Sequence, residues 1–129
     1  MFPMVTVSQK LKHEIVEQAP TELLEKLGAG ISIVDRRMRI CWVNKALAQW
    51  FGPLEKIKGK LCYNIYQHRK TVCPNCPTAK VFQTNRRHSA YQDGYNQKGE
   101  RRHYHLIVTP IHNGNGKASY AMELTYDLT

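Results

Sequence analysis

The chain has 129 residues, enough for one domain with a single core and too few for two. Hydrophobic residues make up 42% and charged residues 22%, the balance of a soluble globular protein, and no stretch nears the roughly eighteen apolar residues that a membrane span needs. Nineteen Lys and Arg against ten Asp and Glu leave a net charge of +9. The cations fall as short clusters (Arg36, Arg37 and Arg39; Lys56, Lys58 and Lys60; Arg86 and Arg87; Arg101 and Arg102), mostly at expected turns, as on a solvated surface. Nucleic acid is therefore not the expected partner. The opening, MFPMVTVSQKLKHE, has no apolar run behind a basic segment, which leaves a cytoplasmic location as the expectation.

In chain order, Leu11, Ile15 and Val16 stand at helical spacing with Ser8 available as a cap, and Pro20 interrupts them. Thr21 can cap a second helix, Glu22 to Leu27, which Gly28 ends. Two β-rich runs follow, Ile31 to Asp35 and Arg39 to Asn44, and read as a hairpin turning at Arg36-Arg37. Ala46 to Phe51 is a short helix stopped by Gly52-Pro53. Leu54 to Lys80 is irregular, with Gly59, Pro74 and Pro77 as breaks and room for single helical turns between them, and Pro77 to Thr84 turns helical with Val81 and Phe82 inward. Ser89 to Tyr95, Arg101 to His112 and Lys117 to Asp127 read as three antiparallel strands joined by Asn/Gly-rich turns. In the middle one Tyr104, Leu106 and Val108 face the core, while His103 and His105 face away. In the last, Ala118, Tyr120, Met122, Leu124 and Tyr126 share one face, and Ser119, Glu123 and Thr125 the other. The sum is an α+β domain: five antiparallel strands covered on one face by short helices, with room for a cavity between the layers.

The run Gly30-Ile31-Ser32-Ile33-Val34-Asp35, then Arg39-Ile40, Val43-Asn44-Lys45-Ala46 and Trp50-Phe51-Gly52, resembles the opening of PAS domains. Lys98-Gly99-Glu100 before a long strand ending Thr109-Pro110-Ile111 resembles their central hairpin, and Leu124-Thr125-Tyr126-Asp127-Leu128-Thr129 their close. The resemblance implies a flanking helix over 1–21 and a sensory domain over 22–129. It also implies homodimerisation through the flanking helix and sheet, and an output domain in cis or trans such as a histidine kinase or transcription regulator. It does not fix the ligand, since members bind haem, flavin, metabolites, metals or nothing. The cysteine motif of the flavin-binding light sensors is absent.

Cys62 is followed after ten residues by Cys73-Pro74-Asn75-Cys76-Pro77, an insertion most PAS domains lack but a Cys-rich bacterial subset resembles. A Cys-x-x-Cys turn presents two thiolates to one tetrahedral ion, and Cys62 is expected to join them. His68 is the proposed fourth ligand, with Cys41 and His88 as further options. Zinc would be a structural clamp, an iron–sulfur cluster a redox sensor, and a reversible Cys73–Cys76 disulfide a thiol switch; simple burial of the cysteines stands beside these. Failing a metal, an unknown small ligand would sit among Trp42, Tyr66, Phe82 and Tyr104, residues that fill cores as readily as they stack on cofactors.

The leading function is thus a sensory and dimerisation module. A small zinc-stabilised nucleic-acid-binding protein would need a second tight Cys or His pair, which is missing. A thiol-disulfide redox protein would need a depressed thiol pKa at a helix N-terminus, where Cys76 does fall. No Ser-His-Asp set, paired carboxylates or phosphate loop is present, so no independent enzyme is expected.

Overall fold

Turn chemistry and β-branched runs divide the chain as expected. The computed structural model describes residues 23, 26–112, 114 and 116–129; the expected helix over 1–21 and most of its successor lie outside these residues. The elements are β1 (Ala29–Asp35), β2 (Ile40–Val43), α1 (Lys45–Phe51), α2 (Leu54–Ile57), α3 (Cys62–Gln67), α4 (Pro77–Thr84), β3 (His88–Tyr95), β4 (Arg101–His112) and β5 (Ala118–Asp127). The strands form one antiparallel sheet in the order β2-β1-β5-β4-β3. The segment expected to be irregular holds two short helices, α2 and α3, ahead of α4. Among the described residues no helix is long and apolar enough to cross a membrane.

The helices lie on one face of the sheet, α1 on β1, α2 on β2, α3 on β3, and α4 across β3, β4 and β5. Val34, Ile40, Val43, Leu47, Ile57, Val81, Phe82, Val108 and Ala121 fill the core between the layers. Gly30 lets α1 approach: a Cβ there would meet Trp50 Cζ3 at 2.7 Å and Leu47 Cδ1 at 2.8 Å, too close for either to stay in place. Asn44 fastens the same helix from its start. Its Oδ1 accepts from Leu47 N at 3.1 Å as an N-cap and from Ile31 N at 2.9 Å, while its Nδ2 donates to Ala29 O at 3.2 Å.

Two bulges redirect side chains that simple alternation misplaces. One, between Ile33 and Val34, lets Ile40 and Val43 both point inward although they are three apart; Trp42 is turned to the outer face and is 41% exposed. The other, at Ile111/His112, puts Ala118 inside while Tyr120, two residues on, faces out. From there Ala121, Glu123 and Thr125 face the helices, and Tyr120 and Met122 lie on the outer face.

Candidate functional site: a cavity around Glu123

Between the sheet and α1, α3 and α4 lies a cavity of about 40 Å³. Cys62, Cys73, Cys76, Tyr66, Tyr104 and Glu123 are among its walls, with Leu47, Phe51 and Thr78. Cys62, Cys73 and Cys76 are three walls of this one space. Cys62 opens α3, Cys76 is the N-cap of α4, and the Cys73–Cys76 turn runs between, with Asn75 in the left-handed region at φ 53°. All four cysteines are free thiols.

His68, the proposed fourth ligand, closes α3 as a left-handed cap at φ 53° and is not a cavity wall. His88 opens β3, where its Nε2 lies 2.7 Å from Thr84 Oγ1, and Cys41 is half-buried on β2. Of the aromatic candidates, Tyr66 and Tyr104 line the cavity, whereas Phe82 packs in the core beneath the Arg36 guanidinium, 5.2 Å from its ring centre. Trp42 is a correction: the β2 bulge sends it to the opposite side of the sheet, so it cannot line this space.

The residue that sequence reasoning passed over is Glu123. It is 5% exposed on β5, opposite Ser32 of β1, and accepts a 2.5 Å hydrogen bond from Thr78 Oγ1 on α4. Ser32 also favours its charged form, and Ser32 Oγ lies 2.7 Å from Tyr66 Oη on α3. A polar cluster of Tyr66, Ser32, Glu123 and Thr78 thus stands between two helices and two central strands. Burial pushes the Glu123 carboxyl up to about 7, against the lowering effect of the Thr78 and Ser32 hydroxyls. Nearby, Tyr104 is 2% exposed and its hydroxyl has no hydrogen-bond partner among the described residues; burial pushes it up to about 12.

The thiols share this environment. Burial raises Cys62, and Glu123, Cys76 and Cys73 add to the rise. Burial likewise raises Cys73, with Cys76 reinforcing it and Arg69 opposing. Cys76 does sit at a helix start, with backbone N–H groups of Ala79 and Thr78 favouring its thiolate, yet desolvation wins and its pKa also rises. The lowered thiol pKa of a disulfide oxidoreductase is therefore missing here.

Among the described residues no three His, Cys, Asp or Glu side chains stand around one point so as to hold a metal ion, so zinc or an iron–sulfur cluster does not fit the side chains as placed. A flavin does not fit either, since ligand pockets of that class run to roughly 300–1,000 Å³ and this space is about 40 Å³. What fits is water or a very small polar molecule, for which about 10–15 Å³ per water is required.

Five antiparallel strands in one sheet, covered on one face by short helices over a small, partly polar chamber, define an α+β sheet-and-helix class. The chain belongs to the PAS fold family, whose model matches residues 24–129. Among solved structures it is similar to a PAS domain from Colwellia psychrerythraea, with 13% identity, a TM-score of 0.67, and coverage of 88% of this chain and 98% of that one. It is also similar to a light-oxygen-voltage domain studied with a flavin analogue (12% identity, TM-score 0.66, 88% of this chain and 87% of that one). A third is the LOV domain of a blue-light activated histidine kinase from Erythrobacter litoralis (22% identity, TM-score 0.64, 77% of this chain and 94% of that one). At these identities the likeness carries the fold alone. No curated protein matches the chain in sequence.

Proposed function

We propose that the chain is a signal-sensing PAS module, not an enzyme, that reads a small polar ligand in the Glu123 cavity. The signal would pass to an output domain such as a histidine kinase or a transcription regulator. The observation that carries this reading is the buried carboxyl tying α4 to the centre of the sheet. A buried ionisable group without a cationic partner costs stability, so its place in a cavity is best accounted for by function. A ligand that donates a hydrogen bond to Glu123 competes with Thr78, loosens α4 from β5 and shifts the sheet that leads to the C-terminal Leu128-Thr129.

A second reading, metal or redox input at Cys62, Cys73 and Cys76, is favoured by their sharing the same chamber, and would require the turn to rearrange. Hydrogen exchange separates the two. Ammonium and formamide, as small polar probes, are expected to raise exchange in α4 and β5, and the Glu123→Gln variant to lose the response. A response to zinc or hydrogen peroxide instead, abolished by Cys73→Ser, would replace the ligand reading with the thiol one. Unchanged exchange under every addition would remove the cavity as the input site.

The sheet's outer face fits the expected homodimer contact. Trp42 and Met122 are 41% and 36% exposed there, with Ile33 paired between them. In sedimentation velocity the protein should run as a dimer, and Met122→Glu should move it to monomer. An unchanged sedimentation coefficient would place any dimer contact elsewhere.

A further inference from the structure

The cation clusters that look scattered in the sequence meet at one end of the sheet. Antiparallel pairing brings the end of β1, the start of β2, the start of β3, the end of β4 and the start of β5 to that end. The β1–β2 turn supplies Arg36, Arg37 and Arg39. The α2–α3 loop is drawn to the same edge, because Ile40 N donates to Lys60 O at 2.9 Å, Gly59 N donates to Ile40 O at 2.8 Å and Arg39 bridges to Leu61. It adds Lys58 and Lys60. The α4–β3 loop, fastened by Ala118 N donating to Asn85 Oδ1 at 2.8 Å, adds Arg86 and Arg87, and Lys117 precedes β5. All eight are exposed. Among the described residues of these turns Asp35 is the one carboxylate, and its Oδ1 is occupied by the backbone N–H groups of Arg37 and Arg39. Arg36 is held in place by Ala118 O at 2.6 Å and Phe82 O at 3.3 Å, so part of the charge is fixed rather than trailing in solvent.

We propose that this basic end is a docking surface for single-stranded nucleic acid, held by its phosphates. The row crosses five strands, about 19 Å at roughly 4.8 Å per strand, which suits several consecutive phosphates of one strand. Five of the eight cations are arginines, whose planar guanidinium groups pair with phosphate in two-point fashion. Beside them an open groove of about 300 Å³ runs between Asp35, Arg36, Arg37, Ser119 and Tyr120. Tyr120, 40% exposed, offers a ring on which an unpaired base can stack. An anionic membrane is the weaker occupant, because peripheral membrane binding joins basic charge to apolar side chains that enter the lipid. Of the exposed large hydrophobic residues, Tyr120 is the one that borders this groove. The surface is separate from the Glu123 cavity, and the proposal stands or falls independently of what that cavity reads.

Fluorescence anisotropy with labelled 20-nucleotide single-stranded RNA and DNA tests it between 50 and 200 mM KCl. Micromolar binding at the lower salt is expected, weakening on a log–log slope of about −4 to −6. The combined change Arg37→Gln, Lys60→Gln, Arg86→Gln and Arg87→Gln should weaken binding at least tenfold and flatten the slope by about 3. Lys45→Gln with Lys98→Gln, exposed residues at the opposite end, should leave both unchanged. No binding at 50 mM, an equal loss in the two variants, or capture by phosphatidylserine vesicles in place of the oligonucleotides would each overturn the proposal.

Discussion

Replacing Glu123 by Gln should make the protein more stable at pH 8, by up to about 3 kcal/mol, and change little at pH 4. The native carboxyl has a folded pKa of about 7 against an ordinary value of 4.5, raised by burial. Its folded form therefore holds a proton that the unfolded form has already released between those two values. The favourable contribution of the protonated acid is full below about 4.5, declines as pH rises through 7, and is constant above that. Glutamine keeps an oxygen to accept from Thr78 and has no proton to lose. The thiols of Cys62, Cys73 and Cys76 and the Tyr66 hydroxyl, which face the same space, all have raised pKa values and stay neutral through this window. Urea unfolding at half-unit steps from pH 4 to 8 measures the difference curve between the two proteins. Parallel curves would mean that Glu123 ionises freely in the folded state, and the polar cluster could not then act as described.

That carboxyl was hidden in the sequence for a physical reason. The outer face of β5 carries Tyr120, Met122, Leu124 and Tyr126, and its inner face Ala121, Glu123 and Thr125, so apolarity points the wrong way. A signal was available in the register: Glu123 falls opposite Ser32, itself the polar residue of an apolar strand, and two such positions side by side mark a buried polar pair. The strand bounds themselves were legible, because Gly and Asn punctuate them; Arg101 to His112 is reproduced residue for residue. That Cys62, Cys73 and Cys76 line one chamber was suggested by the resemblance of the Cys-rich crossover, since the stiff turn by itself fixes only Cys73 and Cys76 relative to each other. Their coordination was not legible, because spacing says nothing about where each thiol points, and His68 was lost to a helix cap that a short α3 needs. Trp42 was misplaced by a bulge, which breaks the period on which such readings depend. The basic end was invisible for a topological reason: residues 36, 60, 86 and 117 become neighbours only when the order β2-β1-β5-β4-β3 is known.

Asn44→Ala should cost about 3–7 kcal/mol, the largest loss expected from a single polar truncation here. Loss of the cap at Leu47 N accounts for about 1 kcal/mol. The rest comes from leaving Ile31 N and Ala29 O without their side-chain partner, at about 1–3 kcal/mol for each buried group. The side chain is 3% exposed, so water cannot easily replace it. The consequence reaches the cavity, because α1 supplies the Leu47 and Phe51 walls and its first turn would fray. Asn44→Asp separates the terms: it keeps both acceptor bonds, and only its protonated form can donate to Ala29 O. Its stability should therefore lie between those of the native and alanine proteins at pH 8 and move toward the native value at pH 4. Chemical denaturation at both pH values measures this. A loss below about 1 kcal/mol in the alanine variant would show that α1 is held by Gly30 and its apolar packing alone, leaving Asn44 as an ordinary cap.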